Sequence, residues 1–179
     1  MAGSYPIKNI CIDARIMPGK MGGVEQVIIG LASGLIKNDN NLFKYYFLTS
    51  PDKSDWIKPY LNEKCGIIYS TGATNLSPRL RFIKSLPYYS KLREVYHKHS
   101  TNSQVKNRNI PDSDHTIESH GIDLMHFTLQ SAFLTSIPSI YQPHDLLHMK
   151  YPELFSLDEI EKRDVLYRKF SEQARIVSV

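Results

Sequence analysis

NICIDARIMPGKMGGVEQVIIGLASGLIK, residues 9–37, reads as a buried strand, a glycine turn and an amphipathic helix in one unbroken run. Ile7, Ile10, Ile12 and Ile16 supply β-branched side chains, and a first strand is predicted over 9–16. Residues 17–23 hold Pro18, Gly19, Gly22 and Gly23, the composition of a turn. Val24, Val27, Ile28, Leu31 and Leu35 then recur at helical spacing. Between them Gly30, Ala32 and Gly34 are small enough to let a helix over 24–37 lie close on a sheet.

The rest of the chain repeats this alternation. KYYFLTS (44–50) is strand-like through its aromatics. Ser50-Pro51 opens a short helical segment running to Leu61, with proline where its missing N–H costs nothing. GIIYS (66–70) is a third strand, GIDLMHF (121–127) a fourth, and SIPSIYQPHD (136–145) contains a fifth. Residues 76–96 carry apolar side chains at helical spacing interrupted by Pro87. Residues 97–115 have little apolar content and are expected to form a flexible loop. Ser156-Leu157-Asp158-Glu159 is a capping box, with Phe155 and Ile160 placed for a hydrophobic staple. It predicts a helix from Leu157 to Gln173, followed by a sixth strand over 174–179. Near-continuous apolar strands alternating with helices predict an α/β fold, a Rossmann-like doubly wound parallel sheet, as a single domain over 1–179.

Composition narrows the class. An apolar fraction of 41% with 22% charged residues excludes disorder, collagen and coiled coil. No run of about 18 apolar residues could span a bilayer, and MAGSYPIKNI lacks the apolar stretch of a secretory signal. Cys11 and Cys65 fall inside strand-like runs, as buried free thiols do in a reducing compartment. The expected location is cytoplasmic. The net charge of +4 is concentrated: residues 79–108 hold eight Lys/Arg against Glu94 alone, a local +7. Such a run serves either as a solvated face and loop or as a surface for anionic partners.

Two places can carry chemistry, because open α/β sheets bind ligands at the carboxyl ends of their strands. Gly22 and Gly23 precede the first helix, where free N–H groups and the helix dipole suit an anion or sugar phosphate. A plain tight turn has the same composition. The spacing is not G-x-G-x-x-G, and no acid ends the second strand, so a dinucleotide site is poorly matched. Tyr141-Gln142-Pro143-His144-Asp145 follows the fifth strand, where a His-Asp pair can hydrogen-bond or exchange protons. A loop histidine bonded to nearby backbone would look the same, and Asp145 is equally placed to cap the next turn. His144 and His148 stand four apart without a third metal ligand, so no metal site is expected. There is no G-x-S-x-G elbow. Trp56 is expected to pack in the core.

Ile12-Asp13-Ala14-Arg15, Gly22-Gly23-Val24-Glu25-Gln26, Pro143-His144-Asp145-Leu146 and Tyr151-Pro152-Glu153-Leu154-Phe155 occur here in order. Together they resemble the N-terminal domain of family 4 (group 1) glycosyltransferases, of the GT-B class, over essentially the whole chain. The resemblance implies the acceptor-side half of a two-domain, metal-independent, retaining hexosyltransferase, with the donor domain outside this chain and the chain alone inactive. It implies no tightly bound cofactor but a nucleotide-sugar donor (UDP- or GDP-sugar), held in part by Gly22 and Gly23. His144 matches the histidine that approaches the transferred sugar and the leaving phosphate, while Arg15, Glu25 and Asp145 fall among substrate-binding positions. The implied partners are a glycan or lipid-linked acceptor in cell-surface polysaccharide synthesis and an anionic membrane face meeting residues 79–108. Self-association of the isolated domain is expected, and no nucleic acid. A non-catalytic Rossmann-like partner module and an NAD(P)-dependent enzyme remain the alternatives.

Overall fold

Six of the apolar runs become strands in the computed structural model, which describes residues 8–38, 42–70 and 110–179. They are β1 (Lys8–Asp13), β2 (Phe43–Thr49), β3 (Cys65–Tyr69), β4 (Leu124–Phe127), β5 (Ser139–Tyr141) and β6 (Ile176–Val177). Between them lie α1 (Gly23–Lys37), α2 (Thr116–Ser119), α3 (Leu147–Lys150) and α4 (Leu157–Gln173), with 3₁₀ turns at Lys58–Tyr60 and Pro152–Leu154. Every strand pair is parallel, in the order β3-β2-β1-β4-β5-β6. That is the doubly wound Rossmann-like order, and its switch point lies between β1 and β4. The helical spacing over 76–96, the basic run over 79–108 and residues 97–109 of the expected loop lie outside the described residues.

Strand alternation divides the apolar side chains between two cores. Cys11, Leu48, Ile68, Met125, Phe127 and Tyr141 point to one face, where Ile117 of α2 and Phe170 of α4 cover them. Ile12, Tyr45 and Phe47 point to the other, under Ile28 and Ala32 of α1. The sheet is therefore buried on both faces, which is why its strands are apolar without polar alternation. Among the described residues no helix is long and apolar enough to cross a membrane.

Three boundaries differ from expectation for local reasons. β1 stops at Asp13 instead of continuing to Ile16, because the Asp13 carboxylate accepts the Arg15 backbone N–H at 3.2 Å and turns the chain. β6 is confined to two residues, because β5 offers only Ser139–Tyr141 to pair with. Residues 110–115, expected as loop, are pinned: Asp112 and Leu134 form a parallel bridge, and Ser113 N–H donates to the Leu134 carbonyl at 2.8 Å. At Ser156 the expectation holds to the residue. Its hydroxyl accepts the Glu159 N–H at 3.2 Å, and α4 begins at Leu157. Both cysteines are free thiols, Cys11 buried and Cys65 only half-buried. Burial, aided by the nearby Asp13 charge, pushes the Cys11 thiol up, which keeps it protonated and inert.

Gly66 shows how tightly β2 and β3 meet. It is paired with Tyr46, and a Cβ added there would lie 2.6 Å from a ring carbon of Tyr46. Gly66→Ala should therefore force the ring aside and cost about 1–3 kcal/mol, as overpacking does. In thermal unfolding the midpoint should drop by several degrees, at roughly 2–4 °C per kcal/mol for a chain of this size. An unchanged midpoint would mean that Tyr46 yields without loss.

Candidate functional site

The carboxyl edge of the sheet is organised around one buried acid. Asp13, the last residue of β1, has no solvent exposure, so its charge must be paired. Arg15 does this with two bonds, Nε to Oδ1 at 2.9 Å and Nη2 to Oδ2 at 2.7 Å. The guanidinium also lies 4.8 Å above the Phe133 ring. Burial alone would lower the Arg15 pKa, but the facing Asp13 charge and its hydrogen bonds outweigh burial and raise it. The guanidinium therefore keeps its charge.

From Asp13 a line of hydrogen bonds crosses the switch point. The buried Thr128 hydroxyl, just past β4, donates to the Asp13 backbone carbonyl. The Thr128 carbonyl in turn accepts from His144 Nε2 at 2.7 Å. A carbonyl can only accept, so Nε2 carries the proton and Nδ1 is the nitrogen left for a ligand. His144 is one of two non-glycine residues with positive φ among those described, at 69°. It is held there by its neighbours: Asp145 Oδ1 accepts the Leu147 N–H and Oδ2 accepts from Gln130 Nε2, both at 3.0 Å. The Gln130 carbonyl accepts the Tyr141 hydroxyl at 2.7 Å. Asp145 is thus a clamp on the turn and caps it.

His148 does not join His144. Its ring is buried against Tyr167, edge to face at 5.1 Å, and its Nε2 lies 3.1 Å from Asp164 on α4. Among the described residues no group of three or more His, Cys, Asp or Glu could hold a metal ion.

The glycine turn lies on the same edge. Gly22 is the N-cap of α1 at φ 48° and ψ −118°, a conformation closed to other residues, and no side chain caps the helix. A Cβ added at Gly22 or Gly23 would meet nothing within 4 Å, so this backbone faces open space. Glu25 reaches back from α1, and its Oε2 accepts the Gly19 N–H at 2.8 Å, closing the loop on itself. The turn leaves β1 and His144 follows β5, with β4 between them. The strands they follow lie two strand spacings apart, about 10 Å.

The structure therefore brings Gly22, Gly23, Arg15 and His144 to one edge, while Glu25 and Asp145 spend their carboxylates on the loops that carry them. Thr128, Gln130 and Tyr141, which position His144, were not singled out by the sequence. The one available signal was that Thr128 and Gln130 directly follow an apolar strand. No protein family, curated protein or solved structure matches the chain. The fold is that of a Rossmann-like α/β domain, with these groups at the carboxyl edge of the sheet around its topological switch point.

Removing the Asp13 carboxylate should leave Arg15 without its counter-charge. Breaking a buried pair costs about 3–5 kcal/mol. Arg15 keeps 24% of its side chain exposed, so Asp13→Ala should fall at the lower end of that range in denaturant unfolding. A loss under about 1 kcal/mol would show that water solvates Arg15 adequately.

His126 on β4 supplies a pH dependence. Burial lowers its pKa, against a hydrogen bond that it donates to the Gln142 side chain and the Asp13 charge. The fold thus favours neutral imidazole, while the unfolded chain takes up a proton near pH 6.5. Stability should fall as pH drops below about 6.5. Urea midpoints at pH 7.5 and 5.5 should reveal this slope, and His126→Gln should flatten it; an equal slope in the variant assigns the acid sensitivity to another group.

Proposed function

We propose that this chain is the acceptor-binding N-terminal domain of a retaining GT-B glycosyltransferase. It would move a hexose from a UDP- or GDP-sugar to a glycan or lipid-linked acceptor in cell-surface polysaccharide synthesis. One observation carries the reading: the open Gly22–Gly23 backbone at the start of α1 and His144, its Nε2 bonded to the Thr128 carbonyl, share one edge, across β4. Transfer from a nucleotide-sugar breaks the bond between the anomeric carbon and a phosphate oxygen. Positive charge develops on the sugar and negative charge on the departing diphosphate. Backbone N–H groups at a helix N-terminus stabilise that anion without a metal. The imidazole Nδ1 lone pair accepts a hydrogen bond from a sugar hydroxyl. Thr128 holds the ring and Gln130 holds its loop through Asp145, so this contact needs no movement.

The exposed apolar side chains support a second body on this edge. Leu146, Leu147, Met149, Tyr151, Leu154 and Leu157 are all exposed within one stretch of chain beside His144. Such clustering is a mark of an interaction surface. In this reading it meets the donor domain, and in the isolated domain it promotes self-association. The basic run over 79–108 would meet acidic lipid at the cytoplasmic face of the membrane.

The strand order also favours a dinucleotide-binding enzyme, but β2 ends on Thr49, which is buried, rather than on an acid. NADH and NADPH should give no fluorescence enhancement with the chain; a saturable one would replace the glycosyltransferase reading. In an enzyme pairing this domain with a donor-binding domain, His144→Ala should lower turnover about 10²–10³-fold, the usual loss of one oriented group. Its thermal midpoint should hold within a few degrees, because His144 is a rim residue. Activity that survives with a lowered midpoint would make His144 structural and end the proposal.

A further inference from the structure

On the opposite flank of the glycine turn from His144, a cleft of about 310 Å³ opens between the β1–α1 loop and the segment after β2. Its lining is Met17, Pro18 and Lys20 from one side and Asp52, Lys53, Asp55 and Trp56 from the other. The volume sits at the small end of ligand sites, about 300–1,000 Å³. Three of its walls are apolar (Met17, Pro18 and the indole), and its charged groups are unequally committed. Asp55 is already paired with Lys58 at 2.6 Å. Among the described residues neither Lys20, Lys53 nor Asp52 has a side-chain hydrogen bond or ion pair. That leaves two ammonium groups and one carboxylate facing a single small cleft.

Trp56 joins these groups to the fold. Its ring packs on the core beneath α1, and its Nε1–H is buried with no acceptor among the described residues. A buried donor without a partner costs about 1–3 kcal/mol, and a small movement of the indole toward a ligand oxygen would recover that loss. An indole face beside unpaired ammonium and carboxylate groups matches a pyranose ring. The C–H face of such a ring is apolar, its hydroxyls both donate and accept, and an acidic substituent would answer the excess of lysine.

We infer that this cleft is a saccharide subsite that holds one ring of an acidic acceptor glycan, stacked on Trp56 with its anionic group between Lys20 and Lys53. The inference rests on the glycosyltransferase reading and extends it. Because the cleft and His144 flank the glycine turn on opposite sides, the acceptor spans more than one sugar and lies across that turn.

Trp56 is the only tryptophan in the chain, so its emission reports on this cleft alone. The 179-residue chain is titrated with a hexuronic-acid oligosaccharide, a phosphorylated oligosaccharide, a neutral oligosaccharide and inorganic phosphate, with calorimetry in parallel. The expected result is a saturable change in Trp56 emission with one or both acidic saccharides, whichever source of negative charge the site takes. Affinity for the neutral saccharide should be about tenfold lower, and Lys20→Ala with Lys53→Ala should remove that preference at an unchanged thermal midpoint. His144→Ala should leave the Trp56 response intact. Equal affinity for inorganic phosphate would make this a simple anion site and overturn the subsite. Calorimetric binding of saccharide without any change in Trp56 emission, or insensitive to the lysine variants, would also overturn it while leaving the glycosyltransferase reading in place. Absence of all saccharide binding in both measurements would overturn the subsite and count against the acceptor-domain reading as well.

Discussion

A carboxylate with no access to water sits at the end of the first strand, and much of the carboxyl edge follows from having to satisfy it. Asp13 finds its partner in Arg15, which returns two residues later with a fork that matches the carboxylate. That return ends β1, lays the guanidinium over Phe133 and orients the backbone carbonyl of Asp13 toward Thr128. Thr128 then presents its own carbonyl to His144. Three adjacent strands, β1, β4 and β5, are tied at their ends by this sequence of bonds, with no side chain from the helices needed. A neutral isostere at position 13 would keep the shape of the turn but lose the charge that holds Arg15 against the ring.

The two halves of the candidate site use opposite means to reach unusual backbone geometry. Gly22 turns into α1 at positive φ because it has no Cβ, and the space around it stays open. His144 reaches positive φ with a full imidazole, and the surrounding bonds through Asp145, Gln130 and Tyr141 supply what the side chain costs. The first arrangement leaves room for a ligand to approach backbone. The second produces a ring that cannot swing away. Open backbone on one side and a held hydrogen-bonding ring on the other thus stand on the same edge by different means.

How much of this was legible depended on the range of the interaction. The strand, turn and helix over 9–37, the cap at Ser156 and the parallel architecture are local patterns of apolar spacing and turn chemistry, and they could be read directly. The placement of Gly22 and His144 on one edge followed from topology, since both follow strands of one parallel sheet. The capping of the next turn by Asp145 was one of two readings its position offered, but the roles of Thr128 and Gln130 could not be read. Each bonds a residue on another element or loop, 11 to 115 positions away, and nothing in the local composition distinguishes them. Asp145 beside His144 in sequence suggested a catalytic pair, but consecutive residues in a turn point apart, and its carboxylate went to Gln130 and Leu147 instead. Lys20, Lys53 and Trp56 look like separate surface and packing residues until the sheet sets the loops after β1 and β2 side by side.

The bond from His144 to the Thr128 carbonyl has one further effect. It selects one tautomer, because a carbonyl accepts a hydrogen bond and cannot donate one. The proton of the neutral ring is therefore spent inside the fold, and the second nitrogen keeps its lone pair. A ring so anchored is an acceptor fixed in place, and a donor brought to it meets a group that needs no rotation about any bond and no displacement of the loop.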